Sequence, residues 1–499
     1  MSEPETIPIV ARALLHGERT ALRDQHESMS YAQLLRASAH AARHLLGGRT
    51  DLDDARVAFL VPPGVDYVVT QWGIWRAGGI AVPLCVSHPR PELEHSIGDS
   101  GASILVAHPE LRAALEPIAH DQALQMLSTE HIRTETTGAL PSVASSRGAM
   151  LLYTSGTTGK PKGVLSTHAV LRAQVESVIA AWEISSRDRI LHVLPLHHLH
   201  GVLNSLCCTL YAGGCCELIP RFDAGTVLDR IGQAQELTLF MAVPTIYAKL
   251  IDAHDAASAE RSALFSAGCA RLRLMVSGSA ALPEETLRRF REISSHTLLE
   301  RYGMTEFGMG LGNPLHGERR PGHVGACFPG VEARLMDERE REVHEGEPGK
   351  LEVKSAGMFA QYWGKPAATA ESFTPDGWFK TGDVAQLEHG SYRILGRESV
   401  DILKSGGYKI SALEIEATLR AHPAIRECAV IGVPDPTWGQ RVAAVAVLHE
   451  GAGLELAALR EWAKQRLAPY KVPSLLRTVK ELPKNAMGKV QKPELAVWF

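Results

Sequence analysis

The chain has 499 residues, a net charge of −4, 45% hydrophobic and 22% charged residues. The length suggests more than one domain, and the balance is that of a globular protein with an ordinary core. The charge gives no reason to expect nucleic acid, and no apolar run reaches the ~18–20 residues of a membrane span, so neither is expected as a partner. The opening, Met1 to Thr6, is acidic and resembles neither a signal nor a transit peptide. The eight cysteines include two adjacent pairs, Cys207-Cys208 and Cys215-Cys216, and no C-x-x-C. They read as reduced thiols without metal, which places the expected location in the cytoplasm.

In chain order, Ser30 and Gln33 form a capping box that opens a helix running to Gly47-Gly48. Residues 56–61 make a short apolar strand, 67–76 a helix that stops at Gly78-Gly79, and 80–84 and 104–107 further strands. Strand–helix alternation of this kind argues for βαβ units around parallel sheets. Residues 272–276 read as a strand ending in a polar turn, Ser277-Gly278-Ser279. A shorter strand, 298–300, ends in Arg301-Tyr302-Gly303. Ligands of open α/β sheets sit beyond the carboxyl ends of strands, so both turns point to one crevice. From about 321 glycine, proline and charge become dense, and short strands at 350–354 and 392–395 predict a β-rich subdomain to about 397. A second capping box, Ser411 to Glu414, opens a helix to about 419. Strands at 428–433 and 442–448 and an amphipathic helix at 456–467 complete a small α+β unit.

The most informative stretch is 151–163. It holds the hydroxyls of Tyr153, Thr154, Ser155, Thr157 and Thr158, the glycines Gly156, Gly159 and Gly163, and the cations Lys160 and Lys162. Clustered backbone N–H groups, hydroxyls and ammonium groups suit a polyphosphate. Lys160 is followed by Pro161, so this is not a Walker A loop. A polar surface turn is the competing reading, and the Lys160–Gly163 extension favours a nucleotide. His197, His198 and His200 lie in an apolar setting that reads as a pocket wall. Arg301 to Glu306 offers a cation, an aromatic face, a hydroxyl and a carboxylate. Asp383, after Thr381-Gly382, suits a ribose diol. Lys489 follows Gly488 near the end of the chain.

In this order the segments resemble the adenylate-forming enzymes: acyl-CoA synthetases, luciferases and peptide-synthetase adenylation domains. The resemblance covers essentially the whole chain. It implies an α/β fold with a large N-terminal domain of parallel and mixed α/β subdomains plus a β-rich one (1–398, the β-rich part about 321–397). A small mobile α+β domain follows (399–499). It also implies two half-reactions: carboxylate and Mg-ATP give an acyl-adenylate and pyrophosphate, then the thiol of coenzyme A displaces AMP. By the same resemblance, Thr154, Ser155, Gly156, Thr157, Thr158, Gly159, Lys160 and Lys162 hold the β- and γ-phosphates. Thr305 bonds the α-phosphate, and Glu306 holds Mg²⁺. Ser279, Ala280 and Tyr302, with Gly303 and Met304 beside them, border the adenine. Asp383 and Arg397 take the ribose. His198 lies near the carboxylate, and Lys489 touches carboxylate and α-phosphate. Gly406, Gly407, Tyr408 and Lys409 approach the thiol channel. The hinge position, two beyond Gly396-Arg397 and commonly Asp or Lys in the family, is Ser399 here.

The segments around Arg301, Ser277 and His200 look like the malonyl-CoA synthetase branch, as do Trp438 to Arg441 and Leu467 to Tyr470. A buried cation is costly without a partner, and a second substrate carboxylate would pair with Arg301, with His200 as a further donor and Ser277 beside them. This implies malonate or methylmalonate. The alternatives are Arg301 pairing with a nearby glutamate in a ligase for a monocarboxylic fatty or aromatic acid, a carrier protein acting in trans, or a non-catalytic nucleotide-binding protein on this fold. The expected partners are small molecules only, with the chain a monomer or weak homodimer.

Overall fold

The computed structural model describes residues 7–154, 161–405, 408–484 and 490–499, with Lys409 described by its backbone alone. Two large, mainly parallel sheets carry the N-terminal domain. In the first, Gly148–Thr154, Ile80–Pro83, Arg56–Leu60, Ile104–Ala107 and Gln125–Ser128 run parallel in that spatial order. Lys162–Thr167 turns back antiparallel beside Gly148–Thr154, so residues 155–161 join the two strands. In the second, Cys215–Leu218, Arg189–His192, Leu239–Ala242, Leu274–Ser277 and Leu299–Met304 are parallel neighbours. The helices Tyr31–Leu46, Val65–Arg76 and His168–Trp182 contribute to the largest apolar core, where Trp72, Trp75 and Trp182 are almost wholly buried. The first of these helices has the full Ser30–Gln33 capping box and ends on Gly47 at φ 54°, as its sequence predicts.

The β-rich part is a four-stranded antiparallel sheet, Val331–Met336, Pro348–Ser355, Phe379–Glu388 and Ser391–Arg397. Its strands are longer than the glycine-dense sequence suggests. A turn at 398–401, containing Ser399, leads into the small C-terminal domain. There Ile402–Ser405, Tyr408–Ser411, Ile425–Asp435, Gly439–Leu448 and Leu475–Val479 share a sheet around a separate apolar core. The second predicted capping box is only half formed. The Ser411 hydroxyl accepts the Glu414 N–H at 3.2 Å, but the Glu414 carboxylate accepts from Lys471 at 2.7 Å instead of reaching back. No helix among the described residues is long and apolar enough to cross a membrane.

Candidate active site

Arg301-Tyr302-Gly303 does not form the turn its composition suggests. It continues the strand Leu299–Met304, which folds back as a hairpin on Gly308–Gly312, leaving Thr305 and Glu306 in the bend. Alternation along a strand sends neighbouring side chains to opposite faces. Glu300 accordingly accepts the Gly322 N–H at 3.1 Å, while Arg301 turns toward the end of Leu274–Ser277. The Arg301 guanidinium lies flat against Gly278, where a Cβ would sit 2.4 Å from Nε. Only glycine admits that approach without displacing the arginine.

Arg301 is 4% exposed, and burial lowers its pKa to about 9. Its Nη2 donates to the Ser279 hydroxyl at 3.2 Å, and its Nε is buried without a partner. Among the described residues no carboxylate pairs with it. Ser279 also meets His200 Nδ1 at 3.4 Å, and holds a left-handed backbone at φ 71°. His200 is buried, and burial and then the Arg301 charge keep it neutral by driving its pKa well down. Its Nε2 has no partner, nor has the buried Ser277 hydroxyl. Arg301 and His200 thus meet at Ser279, a cation and a neutral imidazole each with unused bonding capacity. Buried polar atoms of this kind cost about 1–3 kcal/mol each when unsatisfied, so the arrangement suits an anionic ligand.

Asn204 was not singled out by the sequence. It lies four residues past His200 on the π-helix His200–Cys207, which puts the two on nearly one face, and both polar atoms of its buried amide lack partners. A polar residue in an otherwise apolar run was the available signal. The segment is held from both sides. Tyr67 donates to the Leu196 carbonyl at 2.7 Å, and buried His192 bonds Ser205 Oγ at 2.7 Å. His198, half-buried, packs its ring 4.0 Å from that of His197.

A second group lies on the opposite face of the hairpin. Tyr302 donates to Asp383 at 2.5 Å, and Arg397 Nε stands 3.4 Å from the same carboxylate. Asp383 and Arg397 are register partners across the antiparallel pair, which explains their proximity. Glu306 is 5% exposed; its Oε1 accepts from Tyr362 at 2.8 Å, yet burial still pushes its pKa up. Its carbonyl accepts the Phe359 N–H at 2.7 Å, fixing the bend. Tyr362 also carries Lys162, whose ammonium lies 4.9 Å above the ring. No local pattern in the sequence singles out Tyr362.

Thr154 and Lys162 face each other as register partners at the base of the hydroxyl-rich segment. Tyr153 does not join that segment, because its hydroxyl donates to Asp99 at 2.9 Å. Ser279 and Ala280 are exposed, and the Ser279 hydroxyl faces Arg301 and His200. Gly303 and Met304 close the hairpin opposite Met309 and Gly308. Tyr408 is exposed and stacks on Tyr470 at 4.2 Å. Ser155, Gly156, Thr157, Thr158, Gly159, Lys160, Gly406, Gly407 and Lys489 lie outside the described residues, as does the Lys409 side chain.

A buried carboxyl whose tyrosine partner carries Lys162, a Tyr–Asp–Arg group and a cationic pocket together suit a nucleotide-dependent carboxylate-activating enzyme. The AMP-binding enzyme family matches residues 10–363 and its C-terminal domain residues 414–489, and the chain belongs to that family. Within it, the chain is 46% identical to the mitochondrial malonate–CoA ligase ACSF3 of Xenopus laevis, over 99% of this chain and 92% of that protein. It is 45% identical to the Homo sapiens enzyme over the same shares. Among solved structures, ATP-bound MatB from Rhodopseudomonas palustris superposes with a TM-score of 0.89 at 33% identity, covering 99% of both chains. A malonyl-CoA ligase ternary product complex with methylmalonyl-CoA and AMP gives 0.70 at 34% identity, covering 96% of this chain and 100% of that one.

Proposed function

We propose that the chain is an AMP-forming ligase that activates malonate with ATP and transfers the malonyl group to coenzyme A. The observation that carries the choice of acid is Arg301: buried, charged, and without a carboxylate among the described residues. Malonate supplies the missing anion at one end and the reacting carboxylate at the other. In the first step a carboxylate oxygen attacks the α-phosphorus and pyrophosphate leaves. In the second the thiol sulfur attacks the acyl carbon and AMP leaves. Arg301, with the Ser279 hydroxyl and neutral His200, holds the distal carboxylate and fixes the reacting one in line. Asp383 and Arg397 take the ribose, and the segment from Thr154 to Lys162 takes the outer phosphates.

Mg²⁺ typically binds through one or two carboxylates, substrate phosphates and water. Glu306 fits that pattern, since its burial disfavours the anion until a cation arrives. Among the described residues no group of three His, Cys, Asp or Glu forms a self-contained metal site. When bound, the ion neutralises phosphate charge. Lys489 aligns the carboxylate with the α-phosphate in the first step and withdraws for the second, as the domain 399–499 turns about Ser399. The TM-scores of 0.89 and 0.70 at nearly equal identity support two arrangements of one fold. We read the protein as a cytoplasmic monomer or weak homodimer, which cell fractionation and light scattering test. The function itself is tested by CoA-dependent AMP release across a panel of mono- and dicarboxylates. Malonate is expected to lead, followed by methylmalonate, and a monocarboxylate that outruns both would overturn the assignment.

A further inference from the structure

Lys492 is 8% exposed and takes no part in the chemistry described above. Its ammonium donates to Asp401 Oδ1 at 2.5 Å and lies 2.7 Å from Glu416 Oε1. Both carboxylates have further tasks. Glu416 Oε1 accepts the Val430 N–H at 2.8 Å, and Asp401 Oδ2 accepts the Arg397 N–H at 3.1 Å. Gly396, at φ 131°, lets Asp401 come this close, since a Cβ there would sit 2.4 Å from that of Asp401. The chain before Lys492 is also fixed. Val490 pairs with Lys484, and the Gln491 N–H donates to the Pro483 carbonyl at 2.8 Å. An unbroken set of polar contacts therefore runs from Arg397, beside Asp383, to a residue three positions past Lys489.

We propose that Lys492 is a positioning residue that fixes the segment carrying Lys489 to the strand end carrying Arg397. It holds both on one frame for the first half-reaction. The inference rests on the reading of Lys489 given above. A simple structural ion pair would stabilise the small domain and affect both half-reactions alike. A positioning role affects the step that needs Lys489 and spares the one that does not.

The test compares Lys492→Met and Lys492→Arg, assaying malonate-dependent ATP–pyrophosphate exchange and, separately, thioester formation from supplied malonyl-adenylate. Exchange in Lys492→Met is expected to fall roughly tenfold to a hundredfold, the scale of a small misplacement of a reacting group. Thioester formation is expected to stay near wild type, and Lys492→Arg to restore most of the exchange. If Lys492→Met does not fold, the double variant Glu416→Gln/Lys492→Met removes the most buried charges together, and the same split is expected of it. Equal loss in both steps, or unchanged exchange in a folded variant, overturns the proposal. Lys489→Ala is run in parallel: loss of exchange there with none in Lys492→Met overturns the positioning role alone. Unchanged exchange in Lys489→Ala overturns both it and the role given to Lys489.

Discussion

Two buried cations in this protein live in opposite circumstances. Burial alone would lower the pKa of Lys492, but Glu416 and Asp401 raise it, and the site is closed on itself. Arg301 is as deeply buried and, among the described residues, bonds a hydroxyl and no carboxylate, and burial lowers its pKa. A buried ion pair that satisfies itself fixes one arrangement of the chain. A buried cation left open stores a desolvation cost that an incoming anion relieves. The first kind of site holds the enzyme in shape, and the second selects what enters it.

The largest test of that contrast is Arg301→Met. Loss of one partner from a desolvated charge pair costs about 2–5 kcal/mol, or roughly a thirtyfold to several-thousandfold loss in malonate kcat/KM. Butyrate should lose far less and can gain, because the variant removes a buried charge that a monocarboxylate leaves unpaired. Equal losses with both acids would make Arg301 a structural residue that does not select the acid. Next comes Glu306→Gln, which keeps the shape and removes the charge. A hydrogen bond or ligand contact to a charged group is worth about 1.5–3 kcal/mol, so the Mg²⁺ concentration for half-activity should rise about tenfold to a hundredfold. An unchanged Mg²⁺ titration would remove Glu306 from the metal site.

How much of this the sequence discloses depends on distance along the chain. The strand 104–107, the Ser30 cap and the hydroxyl-rich segment are local patterns, set by apolar runs, capping chemistry and composition. The hairpin after Leu299 is not, because Gly308–Gly312 is rich in glycine and lacks the alternation that marks a strand. Pairings such as Tyr302–Asp383, Glu306–Tyr362 and Lys492–Asp401 join residues 81, 56 and 91 positions apart. No spacing rule reaches that far; the resemblance identified Tyr302, Asp383 and Glu306 but not Tyr362, and neither member of the Lys492–Asp401 pair. Asn204 was hidden for another reason, since one amide in an apolar run looks like any tolerated polar residue until its bonds are counted.

Asn204→Leu sharpens the comparison at the pocket wall. If the amide serves the substrate, directly or through water, malonate KM should rise roughly fivefold to tenfold, the value of about one hydrogen bond. The melting temperature should hold or rise, because two unsatisfied atoms are removed. Unchanged kinetics with raised stability would place Asn204 outside the pocket.

The smallest effect concerns Glu300, the buried carboxyl next to Arg301 in sequence but on the other face of the strand. Burial raises its pKa from 4.5 to about 7, with only partial compensation from backbone N–H groups such as that of Gly322. The folded value lies above the unfolded one, so the neutral form is the one the fold favours. The stability it permits is complete below about pH 4.5 and is lost as pH rises through about 7. By linkage the full swing is at most about 3 kcal/mol. Glu300→Gln keeps the shape and cannot ionise. Its melting temperature should match wild type near pH 5 and exceed it by a few degrees at pH 8, with malonate KM unaltered at either pH. If Arg301 instead drew on the Glu300 charge, the Gln variant would lose malonate affinity at pH 8, and the two faces of the strand would be electrically one site.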